Sequence, residues 1–177
     1  MPMVRVSNGG TGRPDLILMP GVTGTNSGYL RISASEVKKC ETLAWRKLRD
    51  NNDWFYVDGV DQGAPDFYNI SSLTINNNVE FVTQMSMAMV SLHPMPSEIT
   101  FTVGVSGSNS CWTLIPREVL QYYTTITHTR VSGNATWIET DNGFRTYDNG
   151  TYQIANIPIK ANLSVRVQVS VATFTLR

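Results

Sequence analysis

Cysteine and histidine are almost missing from this sequence, with two of each among 177 residues. Two cysteines are too few for a disulfide-held scaffold, so the fold must rest on an apolar core. Cys40 and Cys111 could pair, but the expectation is that both stay free. His93 precedes Pro94 in an apparent turn, and His128 lies in the Thr-rich stretch Thr124–Thr129. Neither has a Cys or Asp at metal-ligand spacing, so no metal site is expected. Charge of one sign is also lacking: fourteen basic and fourteen acidic residues cancel. The one local excess, Lys38, Lys39, Arg46, Lys47 and Arg49, is diluted by Glu36, Glu41 and Asp50. Without a basic arm to neutralise phosphates, no direct nucleic-acid partner is expected. No apolar run approaches the roughly 20 residues that cross a bilayer, so no membrane partner is expected either. Met1 to Val6, followed by Asn8-Gly9-Gly10, lacks the apolar centre of a secretory leader.

Catalytic motifs are equally scarce. Gly104-Val105-Ser106-Gly107 misses the spacing of a nucleophile elbow by one residue and reads as a turn at a strand end. Gly9-Gly10-Thr11-Gly12 is not followed by the Lys-Ser/Thr of a phosphate loop. Asp58, Asp61 and Asp66 share one loop but lack the spacing and final Glu of a calcium-binding EF-hand, so they read as solvated. Nothing marks a pair of glycosidase carboxylates. The four glycosylation sequons at Asn69, Asn134, Asn149 and Asn162 are about what chance supplies in a chain this rich in Asn, Ser and Thr. No enzyme activity, no catalytic residue and no cofactor are expected.

Residues 1–28 are rich in Gly, Pro, Thr and Asn and predict an extended N-terminal arm, with only Asp15–Met19 able to form a strand. Ser33 stands three residues before Glu36, the spacing of a capping box. Val37, Cys40, Ala44 and Leu48 follow at helical spacing, which predicts a helix over 35–49. Pro116 before Arg117-Glu118-Val119-Leu120 predicts a one-turn helix. Elsewhere the period is two. Val79, Phe81, Met85, Met87 and Met89 alternate with polar residues, as do Ile99, Phe101, Val103 and Val105. At the C-terminus Leu163, Val165, Val167, Val169 and Val171 predict one inward face, with a bulge or two-sided burial after Val171. Trp54-Phe55-Tyr56 and Tyr122-Tyr123 place rings on both faces of predicted strands. No repeat of 20–50 residues and no linker interrupts the chain, so 29–177 is expected to be one domain.

Asp141-Asn142-Gly143 and Asp148-Asn149-Gly150 separate Asn134–Thr140, Phe144–Tyr147 and Thr151–Asn156. This predicts two type I′ turns and a projecting three-stranded lobe. Such a lobe is too small to bury four rings, so Trp137, Phe144, Tyr147 and Tyr152 are the candidate contact residues for a partner.

These patterns predict an all-β chain: an antiparallel β-sandwich, jelly-roll-like, with one short helix and a Gly-rich arm. The Asn8-Gly9-Gly10-Thr11-Gly12 opening is similar to Gly-Gly-Thr-Gly junctions in phage fibres. With the Thr- and Asn-rich alternating strands from 68 to 177, it resembles virion proteins of viruses and bacteriophages. That resemblance implies a structural, self-assembling role as a capsid-surface spike, decoration or tail component. The implied partners are further copies of the chain and neighbouring virion proteins, with a surface glycan or receptor as an additional candidate. The implied place is the virion, assembled in the host cytoplasm, or otherwise an extracellular setting. A carbohydrate-binding module or adhesin domain is the alternative, and a glycoside-cleaving enzyme the more distant one.

Overall fold

The computed structural model describes residues 13–49 and 52–177. Its strands are β1 Leu16–Val22, β2 Gly28–Ser33, β3 Thr42–Lys47, β4 Asn52–Val57, β5 Val60–Asp61, β6 Phe67–Asn69, β7 Asn78–Gln84, β8 Ser86–His93, β9 Ile99–Val105, β10 Ser110–Pro116, β11 Thr125–Thr140, β12 Arg145–Thr146, β13 Gly150–Gln153 and β14 Asn162–Leu176. Two one-turn helices, α1 Ala34–Val37 and α2 Arg117–Leu120, link β2 to β3 and β10 to β11.

All the pairings are antiparallel, and they build two facing layers. The first runs β5-β4-β7-β2-β9, then through the C-terminal half of β14 and the N-terminal half of β11 to β13. The second runs β6-β3-β8-β1-β10, then through the other halves of β14 and β11 to β12. Since β11 and β14 serve both layers, the sheet is continuous and curls on itself. The pairs β1·β10, β2·β9, β3·β8 and β4·β7 are nested, giving the folded antiparallel ribbon of a jelly-roll-like sandwich. Leu16, Leu18, Leu30, Ile32, Phe55, Phe81, Phe101 and Phe174 fill the space between the layers. Phe55 and Phe81 stack there with centroids 4.7 Å apart. Each such side chain stabilises the fold by about 1.5–3 kcal/mol relative to exposure.

The chain carries one plan twice. Leu16–Val22 and Ile99–Val105 are equivalent strands 83 positions apart (99 minus 16), and α1 and α2 keep the same offset (117 minus 34). The sequence agrees: Gly21-Val22-Thr23-Gly24-Thr25-Asn26-Ser27 matches Gly104-Val105-Ser106-Gly107-Ser108-Asn109-Ser110. Trp54 and Asp58 match Trp137 and Asp141, and, one position further on, Asn78 and Ser86 match Asn162 and Ser170. The registers repeat as well: Tyr56↔Asp61 with Glu139↔Arg145, and Asn52↔Gln84 with Ala135↔Gln168. The Asp58 carboxylate accepts the N–H groups of Asn76, Asn77 and Asn78, while Asp141 accepts those of Lys160, Ala161 and Asn162. Both carboxyls are held below their ordinary pKa by these bonds: at Asp58 they are the leading influence, and at Asp141 they outweigh the largest single one, the upward push of burial. Since β1 pairs with β10 as β9 pairs with β2, a pseudo-two-fold axis exchanges the two layers.

Several expectations need correction. The helix ends after one turn at Val37, and Thr42–Lys47 is strand β3, because Leu43 and Trp45 are inward on a sheet paired with β8. Ser33 does cap α1 by accepting the Glu36 N–H, but the Glu36 carboxylate turns away to accept Thr100 N–H. The expected arm is not an arm from residue 16 onward. Leu16, Leu18 and Val22 are fully buried, and β1 is hydrogen-bonded on both sides; residues 1–12 lie outside the described residues. Met85 and Val169 take φ near +50°, which shifts the strand phase. After Met85 the inward residues are Ser86, Ala88, Val90 and Leu92, so Met87 and Met89 face outward. After Val169 they are Ser170, Ala172, Phe174 and Leu176, a shift two residues earlier than expected. Tyr122 and Tyr123 follow α2 and are not in a strand. Cys40 and Cys111 are buried and free, and burial pushes each thiol up to about 12.

The lobe also differs. β12 and β13 do not pair with each other; both lie along the free edge of β11. Gly143 alone has the positive φ at the first turn, and its N–H donates to Thr140 C=O, so the turn is a three-residue loop with glycine in the left-handed region. The second triplet is a corner between two pieces of an edge strand.

Candidate functional site

The duplication supplies an internal reference for the outer surfaces, since equivalent positions share a backbone while most of their outward side chains differ. On the first layer, the outward residues of β9, β14, β11 and β13 include Thr100, Thr102, Thr173, Thr175, Thr127, Thr129 and Thr151. Their hydroxyls bond one another, as Thr100 with Thr175 at 2.8 Å and Thr127 with Thr151 at 2.8 Å. The equivalent positions on the second layer are Ile17, Met19, Met89, Ser91, Ala44, Arg46 and Phe67. Phe67 is 52% exposed. The outward Met87 and Leu114 adjoin them. One quarter of the surface is therefore a threonine lawn and its symmetry mate an apolar face.

The rest of the second layer carries two of the four predicted contact residues, Trp137 and Tyr147. Its cross-strand row is Gly21, Trp112, Arg166 and Trp137. Gly21 is required because a Cβ there would lie 2.8 Å from the Trp112 ring. The Arg166 guanidinium lies 4.9 Å from the Trp112 centroid and 6.0 Å from that of Trp137, within cation–π range of both. Tyr147 packs on Trp137 with centroids 5.4 Å apart. Glu139 joins the cluster: it accepts the Trp137 indole N–H at 2.8 Å and pairs with Arg145 at 3.0 Å. Arg145 also donates to the Tyr147 hydroxyl at 3.3 Å, and this bond, then Glu139, raises its pKa. Among the described residues the buried Arg166 Nε and Trp112 Nε1 have no hydrogen-bond partner.

Trp137 and Tyr147 are thus together, with Trp137 only 7% exposed under its neighbours and Tyr147 45% exposed. Phe144 and Tyr152 are half-buried on the other side of β12, in an open groove of about 570 Å³ shared with Thr146, Thr151, Gln153 and Ile157. Arg145 borders both places. Sequence reasoning missed Trp112, Arg166, Arg145 and Glu139. The alternation of β14 put Arg166 outward, but only the pairing register brings it between two tryptophans.

Beneath this region His128 is fully buried and stacks on Phe174 with centroids 5.2 Å apart. Its Nδ1 bonds Asp148 C=O at 3.0 Å and its Nε2 bonds Thr136 Oγ1 at 2.7 Å. Burial lowers its pKa, so the ring is neutral and fastens the Tyr147–Asp148 corner to β11. Among the described residues no three His, Cys, Asp or Glu side chains are grouped to hold a metal ion.

Neither family models nor curated proteins nor solved structures give a match to this chain.

Proposed function

We propose that this chain is a non-enzymatic structural component of a virus or bacteriophage particle, a spike, decoration or tail element that assembles with copies of itself. The observation that carries this reading is the contrast between equivalent outer quarters. A backbone that keeps seven threonine positions wet on one layer has Ile17, Met19, Met89, Ala44 and Phe67 at the mates of five of them. Contiguous apolar surface of this kind is costly in water unless a partner covers it. A second copy of the chain is the occupant in this reading, in keeping with the virion-protein resemblance of the strand pattern.

The Trp137–Tyr147–Arg145 cluster favours the second reading, a carbohydrate-binding module or adhesin domain, in which the same rings meet a surface glycan. The two differ in mass. By size-exclusion chromatography with light scattering, the assembly reading gives a trimer, pentamer or larger ring, and the module reading a clean monomer.

A further inference from the structure

We propose that the face formed by Tyr147, Trp137, Arg145 and Arg166 is a binding site for a saccharide ring that carries a carboxylate. The inference rests on the glycan-contact reading above and is independent of the assembly reading, which the mass in solution tests.

The two repeats make the argument. At the equivalent place on the first layer stand Trp54, Val82, Tyr29, Tyr56, Asp61 and Gly63. Trp54 is retained as Trp137, so the scaffold is the same. The cations and the open ring are new in the second repeat: Arg166 stands for Val82, Arg145 for Asp61 and Tyr147 for Gly63, while Glu139 replaces Tyr56 and holds Arg145 in place. On the first layer Arg31 is consumed by Glu80, at 2.9 and 2.7 Å, and Asp61 adds a negative charge. On the second layer two arginines face one carboxylate, which leaves a net positive charge. Glu139 is close to Arg145 but 3.9 Å from Arg166. Besides its two ring contacts, Arg166 makes a long hydrogen bond, 3.5 Å to Ser164 Oγ. A guanidinium held between two rings, with long contacts to Ser164 and Glu139, suits a carboxylate that accepts two parallel N–H bonds.

The second half of the recognition is apolar and planar. Tyr147 lies against Trp137 and leaves about half of its surface open, while Arg145, with 53% of its side chain exposed, borders the same ring. A pyranose stacks its C–H face on such a ring, and a carboxylate on that sugar would reach the arginines. The seven threonine positions carry no ring and no cation, and their mates on the apolar quarter carry one exposed ring, Phe67, and one cation, Arg46, so a ring beside paired cations is a feature of the face built on β10, β11, β14 and β12.

The test uses the whole chain labelled with 5-fluorotryptophan. Its four tryptophans give four fluorine signals, two in the site (Trp112, Trp137) and two as controls (Trp45, Trp54). The probes are glucuronic acid and N-acetylneuraminic acid, with glucose as the neutral sugar and acetate as the bare carboxylate. The expected result is a saturable shift of the Trp137 and Trp112 signals by one or both acidic sugars. Trp45 and Trp54 stay unmoved, and acetate and glucose bind at least tenfold more weakly. Arg145→Gln and Tyr147→Ala, both at exposed positions, should each weaken the effect about tenfold while the melting temperature holds. The proposal is overturned if no acidic sugar moves these two signals at tens of millimolar, if glucose or acetate does so equally well, or if both variants respond like the parent chain.

Discussion

Asn26 and Asn109 hold each other across the pseudo-two-fold axis: the backbone N–H of each donates to the side-chain Oδ1 of the other, at 2.7 and 3.0 Å. Gly24 lies under the Asn109 side chain and Gly107 under that of Asn26, each with room for no Cβ. Asn26→Ala and Asn109→Ala should each cost about 1–2 kcal/mol in urea unfolding, the cost of leaving a partly buried N–H without its acceptor. Because the two bonds share one reciprocal arrangement, the double variant should cost less than the sum of the single ones. Gly107→Ala should cost at least as much as Asn26→Ala, since it displaces that side chain. Strict additivity, with Gly107→Ala neutral, would show that the two loops are independent.

The buried phase of β14 sets a second expectation. Val167 is fully buried while Gln168 is exposed and donates to Ser108 C=O. Val167→Asp should prevent folding, because an unpaired carboxylate in this core costs several kcal/mol. Gln168→Asp should cost about 1 kcal/mol or less, the scale of one exposed hydrogen bond. Similar far-ultraviolet circular dichroism and melting for the two variants would overturn the register.

His128 predicts a dependence on pH. Its folded pKa is lowered by burial, so the unfolded chain binds its proton first as pH falls. Stability from this group is complete above about pH 6.5, the ordinary histidine value, and declines as pH drops below it. Arg130 opposes the protonated ring, while Asp148 favours it. His128→Gln keeps a donor and an acceptor but does not titrate, so between pH 7 and 5 it should lose less stability than the parent chain. Identical pH slopes for the two proteins would contradict the assignment.

Gly143 tests the turn on its own. Its φ is +91°, and among the described residues no atom lies within 4 Å of where a Cβ would stand. Gly143→Val should therefore destabilise through backbone strain alone, by about 1–3 kcal/mol. Gly143→Asn should cost less, since Asn tolerates the left-handed region. Equal melting temperatures for the two variants would argue that the loop can switch to another turn type.

Much of the fold was legible in the residues. Ile99, Phe101, Val103 and Val105 face the core as their alternation predicts, and Pro116 opens a one-turn helix. The helix over 35–49 was misread because Ala44 and Leu48 also fit a strand that alternates about Leu43 and Trp45. Met85 and Val169 hid their phase shifts, since a left-handed φ at a Met or Val leaves no compositional mark. The duplication was present in Gly21–Ser27 and Gly104–Ser110, but its period near 83 exceeds that of the solenoid and propeller repeats. Of the contact residues, Trp137 and Tyr147 follow from the turn spacing, together with Phe144 and Tyr152, which the structure places on the other side of β12. Arg166 and Trp112 come from distant strands, and only the register joins them.

The claim that the apolar quarter is an assembly surface meets its most direct test in the mass of two proteins at micromolar concentration. Light scattering of the parent chain should give a closed ring of three or more copies. Phe67→Asp, a change at an exposed position, should give a monomer with an unchanged melting temperature. A parent chain that is already monomeric, or a Phe67→Asp variant that stays assembled, would contradict the account.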